Sequence, residues 1–262
     1  MPSLTELLFA LGVGDAVVGV TRYCTDPPAR VATVAKVGGT KNPDLDAIAA
    51  LRPDLVVMNA EENRREDFAA LSASGFAVLV TEPKTVDDGI RLIASLGAAV
   101  GRGELGAYLA AAQQAGVAAV RAATYRRCGV SYFCPIWRKP WMAFNADTYA
   151  HDVLRVAGGR NALADRRERY PVVTLEEVAA TAPEVVLLPD EPYHFADRDL
   201  PALAPLATTP ALRHGAVRFV DGKALSWYGL RIADAVGTFA RIFAARRPCG
   251  DRTVTRAADR FA

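Results

Sequence analysis

The stretch that decides the fold is Leu45-Asp46-Ala47-Ile48-Ala49-Ala50-Leu51-Arg52-Pro53-Asp54-Leu55-Val56-Val57-Met58, because its pattern returns later in the chain. The second copy is Leu175-Glu176-Glu177-Val178-Ala179-Ala180-Thr181-Ala182-Pro183-Glu184-Val185-Val186-Leu187-Leu188, aligned at one constant offset. Each reads as a short amphipathic helix, a proline that stops it, and an apolar run suited to a strand buried on both faces. Both then enter acidic loops, Asn59-Ala60-Glu61-Glu62 and Pro189-Asp190-Glu191. Two similar units in separate halves predict an α/β protein with two lobes facing one another.

Between the copies lies helical sequence. Thr85–Val100 places Val86, Ile90, Ile93 and Leu96 on one face, with Asp87 and Asp88 at the positive end of the helix dipole. Glu104–Tyr125 is Ala-rich and almost free of breakers, which predicts one helix of about 30 Å. Such a helix acts as a strut between lobes. The divisions expected are a first lobe over 1–102, a backbone helix over 103–126, a second lobe over 127–248 and a tail over 249–262. The second lobe should open with a strand, Cys128–Ile136, followed by an aromatic loop, Trp137–Phe144, and a helix near Thr148–Ala157. A strand over Ala216–Val220 and a last helix near Leu230–Ala245 complete it, and polar Pro248–Ala262 is expected to fray.

At 262 residues, 51% hydrophobic and 23% charged, the chain has the composition of a soluble globular protein. Its net charge of +2 gives no nucleic-acid footprint. The apolar run Leu4–Val20 is broken by Glu6, Gly12, Gly14 and Asp15, so it is no membrane span, and no basic leader precedes it. The location expected from the chain as read is cytoplasmic, or extracytoplasmic if the coding start lies upstream. Cys24, Cys128, Cys134 and Cys249 form no CxxC or zinc-type pair and read as free thiols. Pro2-Ser3-Leu4-Thr5-Glu6 reads as a helix entry with a Ser3–Glu6 capping box.

The order of these pieces resembles the substrate-binding proteins of vitamin B12 and iron–siderophore or haem importers. The resemblance rests on Pro2-Ser3-Leu4-Thr5-Glu6-Leu7, Ala10-Leu11-Gly12, Val18-Gly19-Val20-Thr21 with Tyr23, Pro27-Pro28, and Val37-Gly38-Gly39. It continues through the Leu45 and Leu175 copies, Gly158-Gly159 with Asn161, and Ser226-Trp227-Tyr228 with Arg231. The cobalamin-binding branch is the nearest match, through Tyr23 with Pro27-Pro28 and the Trp227–Arg231 segment. The resemblance implies two Rossmann-like lobes bridged by a single rigid helix, a chelate ligand held between them, and an ABC transporter permease as partner. It also implies a short buried strand ahead of the Pro2 helix and an export signal ahead of that. The chain as read carries neither.

A corrinoid or similar flat macrocycle needs aromatic walls and a few hydrogen-bonding groups for its amide edge. Tyr23, Trp141, Phe144, Trp227 and Tyr228 fall in loops at strand ends, where α/β sites form. Ser3, Thr5 and Glu6 crown a helix N-terminus that the resemblance turns toward the cleft, and Arg231 follows Trp227. Glu61 and Glu62 (with Asp190 and Glu191 in the second copy) read as cleft carboxylates, as a solvated face or, by the resemblance, as outer-face acids that dock onto arginines of the transporter. Ligand binding is therefore expected at Ser3, Thr5, Glu6, Tyr23, Cys24, Glu61, Glu62, Trp141, Phe144, Trp227, Tyr228 and Arg231. No catalytic residue, resident cofactor or metal ligand is expected. The alternative is an enzyme or direct metal-ion binder on the same fold, using Cys24, Glu61, Glu62 and His194. His151, His194 and His214 are too scattered to favour it.

Overall fold

In the computed structural model, residues 1–125 and 128–245 are described. The first lobe runs α1 (Pro2–Ala10), β1 (Gly19–Val20), α2 (Pro28–Val31), β2 (Ala35–Lys36), α3 (Leu45–Leu51), β3 (Val56–Asn59), α4 (Arg65–Ala73), β4 (Val78–Thr81) and α5 (Val86–Ala99). The connecting helix is α6 (Gly103–Thr124). The second lobe follows with β5 (Val130–Phe133), an antiparallel hairpin of β6 (Trp137–Arg138) and β7 (Trp141–Met142), α7 (Tyr149–Val156), β8 (Gly159–Asn161) and α8 (Leu175–Ala180). It ends with β9 (Val185–Pro189), α9 (Pro210–Arg213), β10 (Val217–Val220), α10 (Gly222–Ser226) and α11 (Ile232–Ala244). The fold is the two-lobed α/β class expected, and the expected tail, 249–262, lies outside the described residues.

Both copies of the repeated unit fold alike. The Asp44 side chain caps α3 by accepting from the Ala47 N–H, and Thr174 caps α8 in a box with Glu177. Arg52 and Ala182 then occupy equivalent positions with φ of 46° and 50°, turning the chain out of the helix just before Pro53 and Pro183. A residue with a Cβ rarely adopts this left-handed conformation. Its presence at both positions shows the same backbone turn built twice. In the second lobe the strand after that turn, β9, lies inside a parallel sheet of order β10-β9-β5-β8, and all five of its residues are buried.

The first lobe's sheet is split. β1 pairs with β2 and β3 with β4, both in parallel, but β1 and β3 do not pair with each other. Between them lies a largely apolar cavity of about 410 Å³, walled by Val18–Val20 on one side and Leu55–Met58 on the other, with Met1, Leu4 and Leu8 of α1 also lining it. The Met1 ammonium is buried there, and loss of solvation lowers its pKa.

The α1 entry differs from the sequence expectation. The helix begins at Pro2, so Ser3 lies inside the first turn and no side chain caps it. Proline at the first helical position is favoured because its fixed φ suits the helix start. Glu6 is thereby free to reach Arg231 instead of its own backbone. Of the cysteines, Cys24 and Cys134 are free and buried as expected, Cys128 departs from expectation in being disulfide-bonded, and Cys249 lies outside the described residues.

One hydrophobic core joins the lobes. It takes Leu4 and Leu7 from α1 with Leu11 just after it, Val86, Ile90, Ile93 and Leu96 from α5, and Val117 from α6. From the second lobe it takes Val153 and Leu154 of α7 and Ile232, Val236 and Phe239 of α11. The Val86 N–H donates to the Asp152 carboxylate of α7 at 2.8 Å, so the opposite lobe satisfies a first-turn N–H of α5 beside its own Thr85–Asp88 capping box. The Gln113 side chain of α6 accepts from the Ala233 N–H of α11 at 2.9 Å, and Arg121 pairs with Asp87 at 2.9 Å. Helices α5 and α6 cross where Gly97 meets Gly106: a Cβ on Gly97 would lie 2.8 Å from the Gly106 Cα, and one on Gly106 3.0 Å from the Gly97 Cα. Both neighbours are backbone and cannot move aside alone. Gly97→Ala or Gly106→Ala should therefore cost about 1–3 kcal/mol by overpacking, lowering the melting midpoint in calorimetry by roughly 2–12 °C. An unchanged midpoint would contradict the close crossing.

Candidate functional site

Loops at the carboxyl ends of the parallel strands build the cleft, since there the sheets present backbone and side chains to a ligand. From the first lobe come Thr21–Asp26 after β1 and Ala60–Asn63 after β3. From the second come the β6–β7 hairpin after β5, Asp190–His194 after β9, and α10 with Trp227 and Tyr228 after β10.

Ion pairs bridge the lobes on both flanks. On the β1 side, Lys223 Nζ lies 2.7 Å from Asp26 Oδ2. Arg231 forks onto Glu6, with Nε 2.9 Å from Oε2 and Nη2 2.7 Å from Oε1, and it also lies 3.5 Å from Asp26. On the β3 side, Lys84 pairs with Asp147 at 3.0 Å and Arg169 approaches Glu61 at 3.6 Å. The Lys223 N–H bond is the main cause holding Asp26 below its ordinary carboxylate pKa. The fork onto Glu6 likewise raises the pKa of Arg231.

The expected aromatic residues divide by exposure. Tyr23 is 56% exposed, with the Arg22 guanidinium 5.8 Å from its ring centre. Trp141 is half-buried and stacked on Phe195 with ring centres 5.9 Å apart. Phe144, Trp227 and Tyr228 are buried, so these rings are spent mainly on packing. Phe144 belongs to the core that joins the lobes. The Trp227 indole N–H donates to Glu191 at 3.0 Å, and its face carries Lys223 at 4.6 Å and Arg231 at 5.1 Å. It therefore positions the cationic flank of the cleft. Tyr228 meets Tyr149 edge-to-face at 5.4 Å and lies beside Ser3.

The polar residues divide likewise. Cys24 is buried, its sulfur 3.2 Å from the hydroxyls of both Thr5 and Thr21. Thr5 also donates to the Met1 carbonyl. Glu62 accepts from Thr40 at 3.3 Å. Glu61 is partly buried; loss of solvation raises its pKa, and the charge of Arg169 works in the opposite direction. Burial raises the pKa of Glu191 for the same reason. His194 and His214 are exposed, and His151 faces Asn161. Among the described residues no group of three or more His, Cys, Asp or Glu converges as a metal-binding set.

Trp137, Arg169 and Tyr170 are among the residues of the cleft region that lie outside the sequence-derived set. Trp137 is 42% exposed and stands edge-on to Tyr193 with ring centres 5.6 Å apart. Its signal was available, an aromatic at the end of a predicted strand beside Lys139-Pro140. Arg169 and Tyr170 sit in an irregular segment with no periodicity to flag them, and only the fold brings Arg169 to Glu61. Exposed aromatic faces with flanking ionic groups suit a large, flat ligand with a polar rim.

Residues 1–224 match the family model described as periplasmic binding protein, and the chain belongs to that family. It is 26% identical over 185 residues to the vitamin B12-binding protein of Vibrio cholerae, covering 71% of this chain and 67% of that protein. It is similar to the solved periplasmic heme-binding protein RhuT from Roseiflexus sp. RS-1 in apo form, with a TM-score of 0.82, 27% identity, and coverage of 92% of this chain and 95% of that one. The periplasmic vitamin B12 binding protein BtuF of Vibrio cholerae shares the fold, with a TM-score of 0.83 over 93% of this chain and 94% of that one at 23% identity.

The Asp26 bridge has a definite pH signature. A carboxyl whose pKa is lowered by folding adds stability above its unfolded pKa of about 4 and loses it as pH falls through the folded value. Asp26→Asn should cost about 1 kcal/mol at neutral pH in low salt. In urea unfolding, the gap from the parent protein should shrink in high salt and close in strong acid. A gap independent of both would contradict the bridge.

Proposed function

We propose that this periplasmic binding protein is a non-catalytic carrier that grips a bulky metal chelate in the cleft between its lobes. A corrinoid is the first ligand, and haem or a ferric siderophore the second. The observation that carries the proposal is a cleft flanked by inter-lobe ion pairs, with exposed rings supplied by both lobes, Tyr23 from one and Trp137 from the other. Aromatic rings bury large area with few rotamers to freeze, which suits a rigid macrocycle. The vitamin B12-binding relative from Vibrio cholerae supports the corrinoid, and the heme-binding relative from Roseiflexus supports haem.

The carrier hands its ligand to an ABC importer, a partner supported by the family. A catalytic role finds no support at Cys24, whose sulfur is buried between two threonine hydroxyls. The metal arrives inside the chelate and is cargo rather than a resident group. We place the protein outside the cytoplasm, supported by the disulfide at Cys128, since such bonds persist in oxidising compartments.

Absorbance titration of the purified chain with cyanocobalamin, hemin and a ferric hydroxamate tests the proposal. Cyanocobalamin should saturate one site per chain with micromolar or tighter affinity, and Tyr23→Ala and Trp137→Ala should each weaken it roughly tenfold, the loss of about 1–2 kcal/mol of ring contact. Absence of binding by all three ligands would overturn the carrier reading.

A further inference from the structure

The β6–β7 hairpin that carries Trp137 has strands of two residues each, with Trp137 opposite Met142 and Arg138 opposite Trp141. A hairpin of that size is marginal at best on its own in water. The ring it offers to the cleft therefore needs a fixed point elsewhere in the lobe. Asp199 supplies one. It lies in the 3₁₀ segment Asp197–Leu206, which Leu203 and Leu206 anchor in the second lobe's core, and it is itself 1% exposed. Both of its carboxylate oxygens are used. Oδ2 accepts from the Ala196 N–H at 3.0 Å, a local bond that secures the start of its own segment. Oδ1 reaches further, accepting from the Tyr193 phenol at 3.1 Å and pairing with the Arg138 guanidinium. These two bonds lead to Trp137. Arg138 is its chain neighbour in β6, and Tyr193 is the ring it meets edge-on at 5.6 Å. Tyr193 in turn packs on Phe195 with ring centres 4.6 Å apart, and Phe195 stacks on Trp141, so the rings form a continuous row from one strand of the hairpin to the other.

We propose that Asp199 is a positioning residue for ligand binding: without touching the ligand, it holds Arg138 and Tyr193 and so fixes the ring that Trp137 turns to a macrocycle. An ionised carboxylate suits the task, because it only accepts, and every group converging on it is a donor. Hydrogen bonds to a charged acceptor are also roughly twice as strong as neutral ones. An amide in its place keeps one acceptor oxygen but sets N–H groups against the remaining donors, so one of the grips is lost. A ring fixed before the ligand arrives has little rotamer freedom left to lose on binding.

The inference rests on Trp137 as a ligand ring in the carrier reading, and its test separates the two. Near-ultraviolet circular dichroism of the ligand-free protein reads the positioning alone. The band lost in Trp137→Ala is the signal of that ring in fixed surroundings, and Asp199→Asn should abolish most of it while the far-ultraviolet spectrum stays that of the parent. Titration with cyanocobalamin reads the consequence. Asp199→Asn should weaken binding by about threefold to tenfold, no more than Trp137→Ala does. In a Trp137→Ala background it should change the dissociation constant by less than about twofold, since residues that act through one group are not additive. Arg138→Gln cuts the pair from its more exposed end, should behave alike, and stands in if Asp199→Asn does not fold. A Trp137 band retained in these variants overturns the positioning role. So does an unchanged affinity, or a loss equally large with and without Trp137, the mark of a general loosening of the lobe. A parent protein that binds no corrinoid, hemin or ferric hydroxamate overturns the carrier reading instead, and the dichroism still decides the role of Asp199.

Discussion

The two lobes share one hydrophobic core, and the position of every cleft residue depends on that continuity. Helix α5 belongs by sequence to the first lobe, yet its apolar face packs among residues of α7 and α11 from the second. An N–H of its first turn donates to Asp152 across the lobe boundary. The crossing of α5 and α6 at Gly97 and Gly106 brings the backbones too close for a side chain on either residue. A hinge at this point would have to open a packed core, expose Val86 and Ile93, and break a buried charged hydrogen bond. The connection is stiff for that reason, rather than because a helix happens to span it.

Stiffness shapes what the cleft can do. Lobes that do not swing together cannot wrap a small flexible ligand, but they can present a fixed slot to a rigid one. Binding that leaves the lobes in place costs little conformational entropy in the protein. The flanking pairs Asp26–Lys223 and Lys84–Asp147 reinforce the separation at modest strength, because they stay partly solvated. Arg231 acts differently. Forked onto Glu6 and lying over Trp227, it joins α1 to the start of α11 and fixes the indole that the sequence marks as a ligand contact.

The fold was legible because its signals are local and repeated. The helix–proline–strand unit at Leu45 and Leu175 carries its own caps and its own left-handed turn at Arg52 and Ala182, so both copies could be read without tertiary information. The α6 helix announced itself by composition. The site was less legible, because residue type does not reveal which face a loop side chain takes. Phe144, Trp227 and Tyr228 stand at strand ends as ligand rings should, yet the core takes them. Glu6 read as half of a capping box, but Pro2 moves the helix start and an arginine far along the chain claims its carboxylate. Arg169 gave no local signal at all, since its partner Glu61 lies in the other lobe.

The central claim, that a shared core holds the lobes at a fixed separation around the ligand, is tested most directly by a distance measured across the cleft. Spin labels at Ser74→Cys and Glu176→Cys, both exposed and one in each lobe, report it by double electron–electron resonance. The account predicts a single narrow distance distribution that moves by no more than about 2 Å when cyanocobalamin is added. A broad distribution in the free protein, or a large contraction on binding, would contradict it.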